Sequence, residues 1–113
     1  VIVRRAPVIR WVLALPDGSE LALPADAATL GRRPGDAPGA VTVPDPSRTL
    51  SKVHARIRRD GDRWFITDLG STNGVFLGEP DGSERELAAH AEAPLSEHFR
   101  LGTLPMRLLR SGS

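Results

Sequence analysis

Turn-forming residues interrupt this chain before any long helix can form. Ten prolines and eleven glycines are scattered through 113 residues. Proline removes a backbone donor and clashes with the preceding helical turn, while glycine is entropically costly inside a helix or strand. Between these breaks the apolar residues alternate with polar ones over short runs, the pattern of strands joined by tight turns. Val8–Leu15 sets Ile9, Trp11, Leu13 and Leu15 on one face and Val8, Arg10, Val12 and Ala14 on the other. "PDGS" at Pro16–Ser19 then reverses the chain, and the same four letters serve again at Pro80–Ser83. In that turn proline presets φ and glycine supplies a positive φ. Further strands are expected at Glu20–Pro24, Ala28–Leu30, Ala40–Val43, His54–Arg59, Arg63–Leu69, Gly74–Gly78, Glu84–Ala89, His98–Leu101 and Leu104–Leu109. Arg63–Leu69 is apolar on both faces, which predicts a central strand. Arg85–Leu95 is the best helix candidate, cut short by Pro94.

This spacing implies an all-β sandwich or barrel. The length fits one domain, expected over residues 8–110, with Val1–Pro7 a linker or tail and Ser111–Ser113 a second tail. A hydrophobic share of 40% is too high for a disordered chain. With only three Phe, two Trp and no Tyr, the core must be built from Val, Ile, Leu and Ala. The chain begins at Val1, not Met, and reads as a piece of a longer protein.

The net charge of +1 supplies no overall field for nucleic acid or acidic lipid, so an anion site would have to come from local clustering. Of 15 basic residues only Lys52 is lysine, a bias that points to a GC-rich bacterial genome. Cysteine is absent, which excludes disulfides and thiolate chemistry and suits a reducing cytoplasm. No apolar run approaches the ~20 residues of a membrane helix, so the fragment is not expected to insert directly into a membrane.

Loops on a rigid sandwich usually carry its sites. Three stand out: Arg32–Gly39, Pro44–Val53 and Gly70–Asn73. Ser51, His54 and Asp68 supply the residue types of a hydrolytic triad, yet there is no G-x-S-x-G elbow and no evident oxyanion donor, so an enzyme is not expected. His90, Glu92, Glu97 and His98 lack metal-ligand spacing, so neither a metal nor a cofactor is expected. Arg56, Arg58 and Arg59 share a hairpin without stacking aromatics, which reads as a solvated strand face and not a nucleic-acid site. The remaining loop residues suit a tetrahedral anion. Arg32 offers a planar, always-charged fork, Ser51 and Thr72 offer hydroxyls, Lys52 adds a mobile charge, and Asn73 carries a donor and an acceptor fit for a peptide backbone. Gly31 and Gly74 permit tight backbone beside them.

Gly31-Arg32, Ser51-Lys52-Val53-His54 and Ser71-Thr72-Asn73-Gly74, in that order, resemble the signature of the forkhead-associated (FHA) domain. The resemblance implies a β-sandwich of about eleven strands with its binding loops at one end. It implies a phosphothreonine-dependent protein–protein interaction module acting in Ser/Thr kinase signalling. The family is an established instance of phosphorylated motifs being read by arginine clusters. By the family pattern, Arg32, Ser51, Lys52 and Thr72 contact the phosphate and Asn73 holds the peptide backbone. Thr49 stands where the family often reads the third residue after the phosphothreonine. Gly31, His54 and Gly74 are structural. Lys52 occupies a position where arginine or asparagine is common, and Thr49 one where a charged reader is frequent. The implied partner is a phosphothreonine-containing protein or peptide, in trans or in the same parent chain. The implied location is the cytoplasm, including the cytoplasmic part of a membrane-anchored parent. The alternative reading is a phosphorylation-independent structural or assembly sandwich.

Overall fold

The computed structural model describes residues 9–24, 26–46 and 48–112. Among the described residues eleven strands form: β1 Ile9–Ala14, β2 Glu20–Ala22, β3 Ala27–Gly31, β4 Ala40–Thr42, β5 Ala55–Asp60, β6 Arg63–Asp68, β7 Val75–Gly78, β8 Glu84–Leu87, β9 Glu92–Pro94, β10 His98–Leu101 and β11 Leu104–Gly112. There is no helix among the described residues. The strands make two sheets, one of six strands in the order β2-β1-β11-β10-β7-β8 and one of five in the order β4-β3-β5-β6-β9. Every strand pairing is antiparallel except β3 with β4.

The inward residues of the two sheets meet in one core. Leu13, Leu77, Leu101 and Met106 from the six-stranded sheet join Leu30, Ala55, Ile57 and Ile66 from the five-stranded one. The period of two is visible along β5, where Ala55 and Ile57 are buried and Arg56 and Arg58 exposed. Trp11 and Trp64 meet edge to face across the core, ring centroids 5.8 Å apart. Such pairs add about 0.5–1.5 kcal/mol beyond the area they bury.

Arg63–Leu69 does lie between two neighbours, β5 and β9. Its outer face is not covered by a further layer, however. Phe65 is half-buried there beneath the guanidinium groups of Arg58 and Arg63, 4.6 and 6.0 Å from the ring centre. Arg58 also grips Glu92 through two bonds of 2.7 Å, tying β5 to β9 across β6. Hydrogen bonding from Arg58 holds the Glu92 carboxyl below its ordinary range. The pair therefore contributes above that range and its contribution fades as acid protonates Glu92, but exposed pairs of this kind are worth little.

The helix expected over Arg85–Leu95 is absent. In its place β8 pairs with β7, the chain turns at Ala88–Ala91, and β9 pairs with β6. Ala91, Ala93 and Leu95 are inward while Glu92 and Pro94 are exposed, a strand period that the helix-favouring Glu, Leu and Ala content obscured. His90 takes φ 64° in the turn, which ends any helical path. The final strand runs to Gly112, which pairs with Ile9. Val1–Pro7, expected as a linker, lies outside the described residues.

Candidate functional site

Three loops converge at one end of the sandwich: residues 32–39 after β3, residues 43–54 before β5, and residues 69–74 between β6 and β7. Backbone pairing brings the first two together. His54 N–H donates to Leu30 O at 2.8 Å, Arg32 N–H to Ser51 O at 3.0 Å and Arg33 N–H to Lys52 O at 3.1 Å. Arg32 and Ser51 are thus neighbours across a ladder that continues β3 past its end. Glycine is needed for this approach, since a Cβ on Gly31 would lie 2.0 Å from Lys52 O.

His54 joins the third loop to these two. It is fully buried. Ser51 N–H donates to its Nδ1 at 3.0 Å, so Nδ1 carries no proton. Nε2 then carries the proton and donates to Gly74 O at 2.8 Å. This is the neutral tautomer with both nitrogens engaged. Gly74 O also accepts from Gly102 N–H at 3.0 Å, which draws in the β10–β11 turn. Gly74 itself has φ +85°, a conformation that favours glycine. Inside the third loop, buried Asp68 accepts from Ser71 N–H at 2.8 Å, and Ser71 Oγ accepts from Gly74 N–H at 3.0 Å.

His54→Ala is therefore expected to lower stability by about 2–3 kcal/mol, from two lost hydrogen bonds and an interior cavity. Thermal unfolding would measure the loss, and amide exchange at Ser51 and Gly74 would rise with it. A variant as stable as the parent would remove His54 as the joint between the loops.

On this frame Arg32, Thr49, Ser51, Lys52, Thr72 and Asn73 all line one open groove of about 530 Å³. Thr72 N–H donates to Ser51 Oγ at 3.0 Å, which uses a lone pair of that hydroxyl and leaves its proton available. Asn73 Nδ2 donates to Thr49 O at 2.7 Å, bridging the second and third loops. Val53, 39% exposed, is an apolar residue on the groove's rim. Gly31, His54 and Gly74 lie beneath the groove as described.

The charges are unevenly matched. On the strands and their turns, Arg58, Arg59, Arg85, Arg100 and Arg107 each pair with a carboxylate. Arg32, Arg33, Arg48 and Lys52 on the loops have no such partner among the described residues, and neither do Arg56, Arg63 and Arg110 on the strands. The four loop cations sit together at the groove end, so positive charge accumulates there although the chain is nearly neutral.

The other constellations come out differently. Ser51, His54 and Asp68 do lie close together, but neither imidazole nitrogen is left to take a proton from Ser51 Oγ, and the Asp68 carboxylate serves the third loop. His98 Nε2 lies 3.2 Å from Glu97, and no group of three metal-ligating side chains converges among the described residues. Arg58 and Arg59 are committed to Glu92 and Asp26. No helix among the described residues is long and apolar enough to cross a membrane.

Thr49 lines the groove with its hydroxyl already engaged. Its Oγ accepts from Thr103 N–H at 3.0 Å and lies 3.0 Å from Thr103 Oγ, so the hydroxyl is turned toward the β10–β11 turn. Sequence reasoning passed over two residues here. Asp45 brackets the second loop, its Oδ1 accepting from Thr49 N–H at 3.1 Å and its Oδ2 from Leu50 N–H at 2.9 Å. Aspartate flanked by prolines just after a strand is a signal for such side-chain-to-backbone turns. Arg48, within that bracket, adopts φ 57°, a left-handed conformation that costs a side-chain-bearing residue about 1–2 kcal/mol.

Comparison with known proteins agrees with this fold. The family profile described as FHA domain matches residues 28–95. The FHA domain-containing protein FhaB of Mycolicibacterium smegmatis is 29% identical over 93 residues, 80% of this chain and 56% of the relative. The chain thus spans little more than half the length of that relative. Among solved structures, the FHA domain of CT664 from Chlamydia trachomatis is 27% identical with a TM-score of 0.64, covering 88% of this chain and 96% of that one. A chain from a structural and functional analysis of phosphothreonine-dependent FHA domain interactions is 25% identical with a TM-score of 0.62, covering 88% and 94%. The motifs, the two-sheet topology and the profile match together make this chain a member of the FHA domain family.

Proposed function

We propose that this domain is a phosphothreonine-dependent interaction module in Ser/Thr kinase signalling, with Arg32 and Ser51 as its main phosphate contacts. The observation that carries the reading is their adjacency across one backbone pair at a groove whose cations lack acidic partners among the described residues. The Arg32 fork and the Ser51 hydroxyl proton supply charge-assisted bonds to the phosphate. Lys52 adds a mobile charge and Thr72 a further hydroxyl. Asn73, already bonded to a main-chain carbonyl, is suited to hold the main chain of an extended peptide. His54, Gly31 and Gly74 keep the loops in place beneath the ligand.

The solved relative studied for phosphothreonine-dependent interactions supports the choice of ligand. The partner is a phosphothreonine-bearing protein, separate or within the same parent chain, and the module acts in the cytoplasm without catalysing a reaction. Binding across open loop tips corresponds to a Kd on the order of micromolar, about −8 kcal/mol. Threonine is preferred to serine by the burial of one methyl group, worth about 1–3 kcal/mol.

An oriented phosphothreonine peptide library, screened with and without phosphatase treatment, tests the reading. Phosphatase is expected to abolish capture, whereas undiminished capture would establish a phosphorylation-independent assembly role instead. Affinity should also fall as the pH drops below about 6, where the phosphate takes up its second proton and loses charge. Titration calorimetry that found equal affinity at neutral and mildly acid pH would rule out recognition of the dianion.

A further inference from the structure

We propose that His90 is a positioning residue for the phosphate groove, clasping from outside the loop that carries Thr72 and Asn73. The inference rests on the phosphothreonine reading and adds to it a residue of the β8–β9 turn, which does not itself line that groove.

Thr72 and Asn73 are exposed, and they border both the phosphate groove and a second open cleft of about 520 Å³. That cleft lies between them and Ala88 and Ala89 of the β8–β9 turn. On the ligand side, Asn73 Nδ2 bonds Thr49 O and Thr72 N–H bonds Ser51 Oγ. A peptide held by Asn73 competes with the first of these bonds, so the loop needs anchors that face away from the ligand. Its opening residues, Asp68 to Gly70, have them. From the core, His54 O accepts from Leu69 N–H at 3.1 Å. From the β8–β9 turn, His90 N–H donates to Asp68 O at 2.8 Å. The His90 imidazole then lies against Gly70: a Cβ built on that glycine would sit 3.1 Å from both Cε1 and Nε2. Gly70 has φ +79°, so the chain bends where the imidazole covers it, just before Thr72 and Asn73.

Backbone strain points the same way. His90 holds φ 64°, sterically unfavourable for a residue with a Cβ. Its side chain returns little to stability in exchange. It is exposed, and its ring makes no hydrogen bond among the described residues. Glycine holds the positive φ at eight positions of the described chain and would adopt this one without strain. Strain of this kind persists only where the surroundings impose it, and it gathers at functional sites. Here the turn is closed by Ala91 N–H donating to Ala88 O at 3.1 Å and is tied to β6 by the bond to Asp68 O. What glycine would lack is the imidazole that covers Gly70.

The test compares the parent domain with His90→Gly and His90→Asn. Both replacements accept the positive φ, and asparagine keeps a planar polar group while lacking the two ring atoms that meet Gly70. Neither variant should unfold earlier than the parent on heating. Affinity for one phosphothreonine peptide is expected to fall about fivefold in both, as it would if the loop spent about one-fifth of its time in the binding position. The loss should be the same at low and high salt, since the role is one of shape and not of charge. Amide exchange at Ser71, Thr72 and Gly74 should quicken, while exchange at Ile66 in β6 stays as it was. Undiminished affinity in both variants overturns the proposal. So does a loss that disappears at high salt, or one accompanied by a matching fall in the unfolding midpoint. If the parent binds no phosphothreonine peptide, the phosphothreonine reading fails separately and loop exchange decides alone: quicker exchange in the variants keeps His90 as the clasp of this loop, and unchanged exchange overturns it.

Discussion

Arg32→Ala is expected to weaken phosphopeptide binding by about a hundredfold or more and to leave thermal unfolding unchanged. The binding loss follows from the bidentate fork, since each charge-assisted bond contributes about 1.5–3 kcal/mol net. The unchanged stability follows from the exposed position of Arg32 and its lack of an acidic partner among the described residues. Its backbone N–H, which bonds Ser51 O, is retained by alanine. Arg32→Lys should recover only part of the loss, because an ammonium keeps the charge but not the planar fork. Calorimetry with one phosphothreonine peptide and the three proteins measures all of this. Equal affinity for the parent and Arg32→Ala would exclude Arg32 as the principal phosphate contact.

Gly31→Ala is expected to act on the fold instead. The added Cβ would meet Lys52 O at 2.0 Å, Lys52 C at 2.7 Å and Val53 Cα at 3.1 Å. All three are backbone atoms, so no side-chain rotation relieves the contact. The second loop would have to withdraw, breaking the bonds from Arg32 N–H to Ser51 O and from His54 N–H to Leu30 O. Overpacking against a fixed backbone, with lost hydrogen bonds, should cost about 3–4 kcal/mol or more. For a domain of this size that lowers the unfolding midpoint by about 10–20 °C. Phosphopeptide binding should fall as well, since Ser51 and Lys52 travel with the loop. Unfolding curves that superimpose for parent and variant would show that the two loops are not bound to each other as described. The contrast with Arg32→Ala separates the group that meets the ligand from the glycine that allows the loops to meet.

The strand pattern was legible because burial on a sheet repeats every second residue, and the repeat survives in single segments such as Ala55–Arg58. The segment Arg85–Leu95 was misread for a physical reason. Its Glu, Leu and Ala content favours a helix locally, whereas its strands are stabilised by partners outside the segment, Val75–Gly78 across the adjacent turn and Phe65–Thr67 further back in the chain. Among the site residues, Arg32, Ser51, Lys52, Thr72 and Asn73 could be chosen from their chemistry and from the motifs that contain them. The direction of the Thr49 hydroxyl was not legible in the same way. It is set by Thr103, a residue 54 positions later, and no local pattern announces that contact.

Short, glycine- and proline-bounded alternation was enough to specify a sheet protein, and three brief motifs were enough to specify which side chains its loops would offer. Both are local properties: a pleat and a turn depend on adjacent residues. Convergence was decided by tertiary structure alone. A buried neutral imidazole binds Ser51 on one side and Gly74 on the other, a missing Cβ lets two backbones touch, and the imidazole of His90 lies against Gly70. Each depends on distances between segments that are remote in the chain, which come into being only when the two sheets close on their common core.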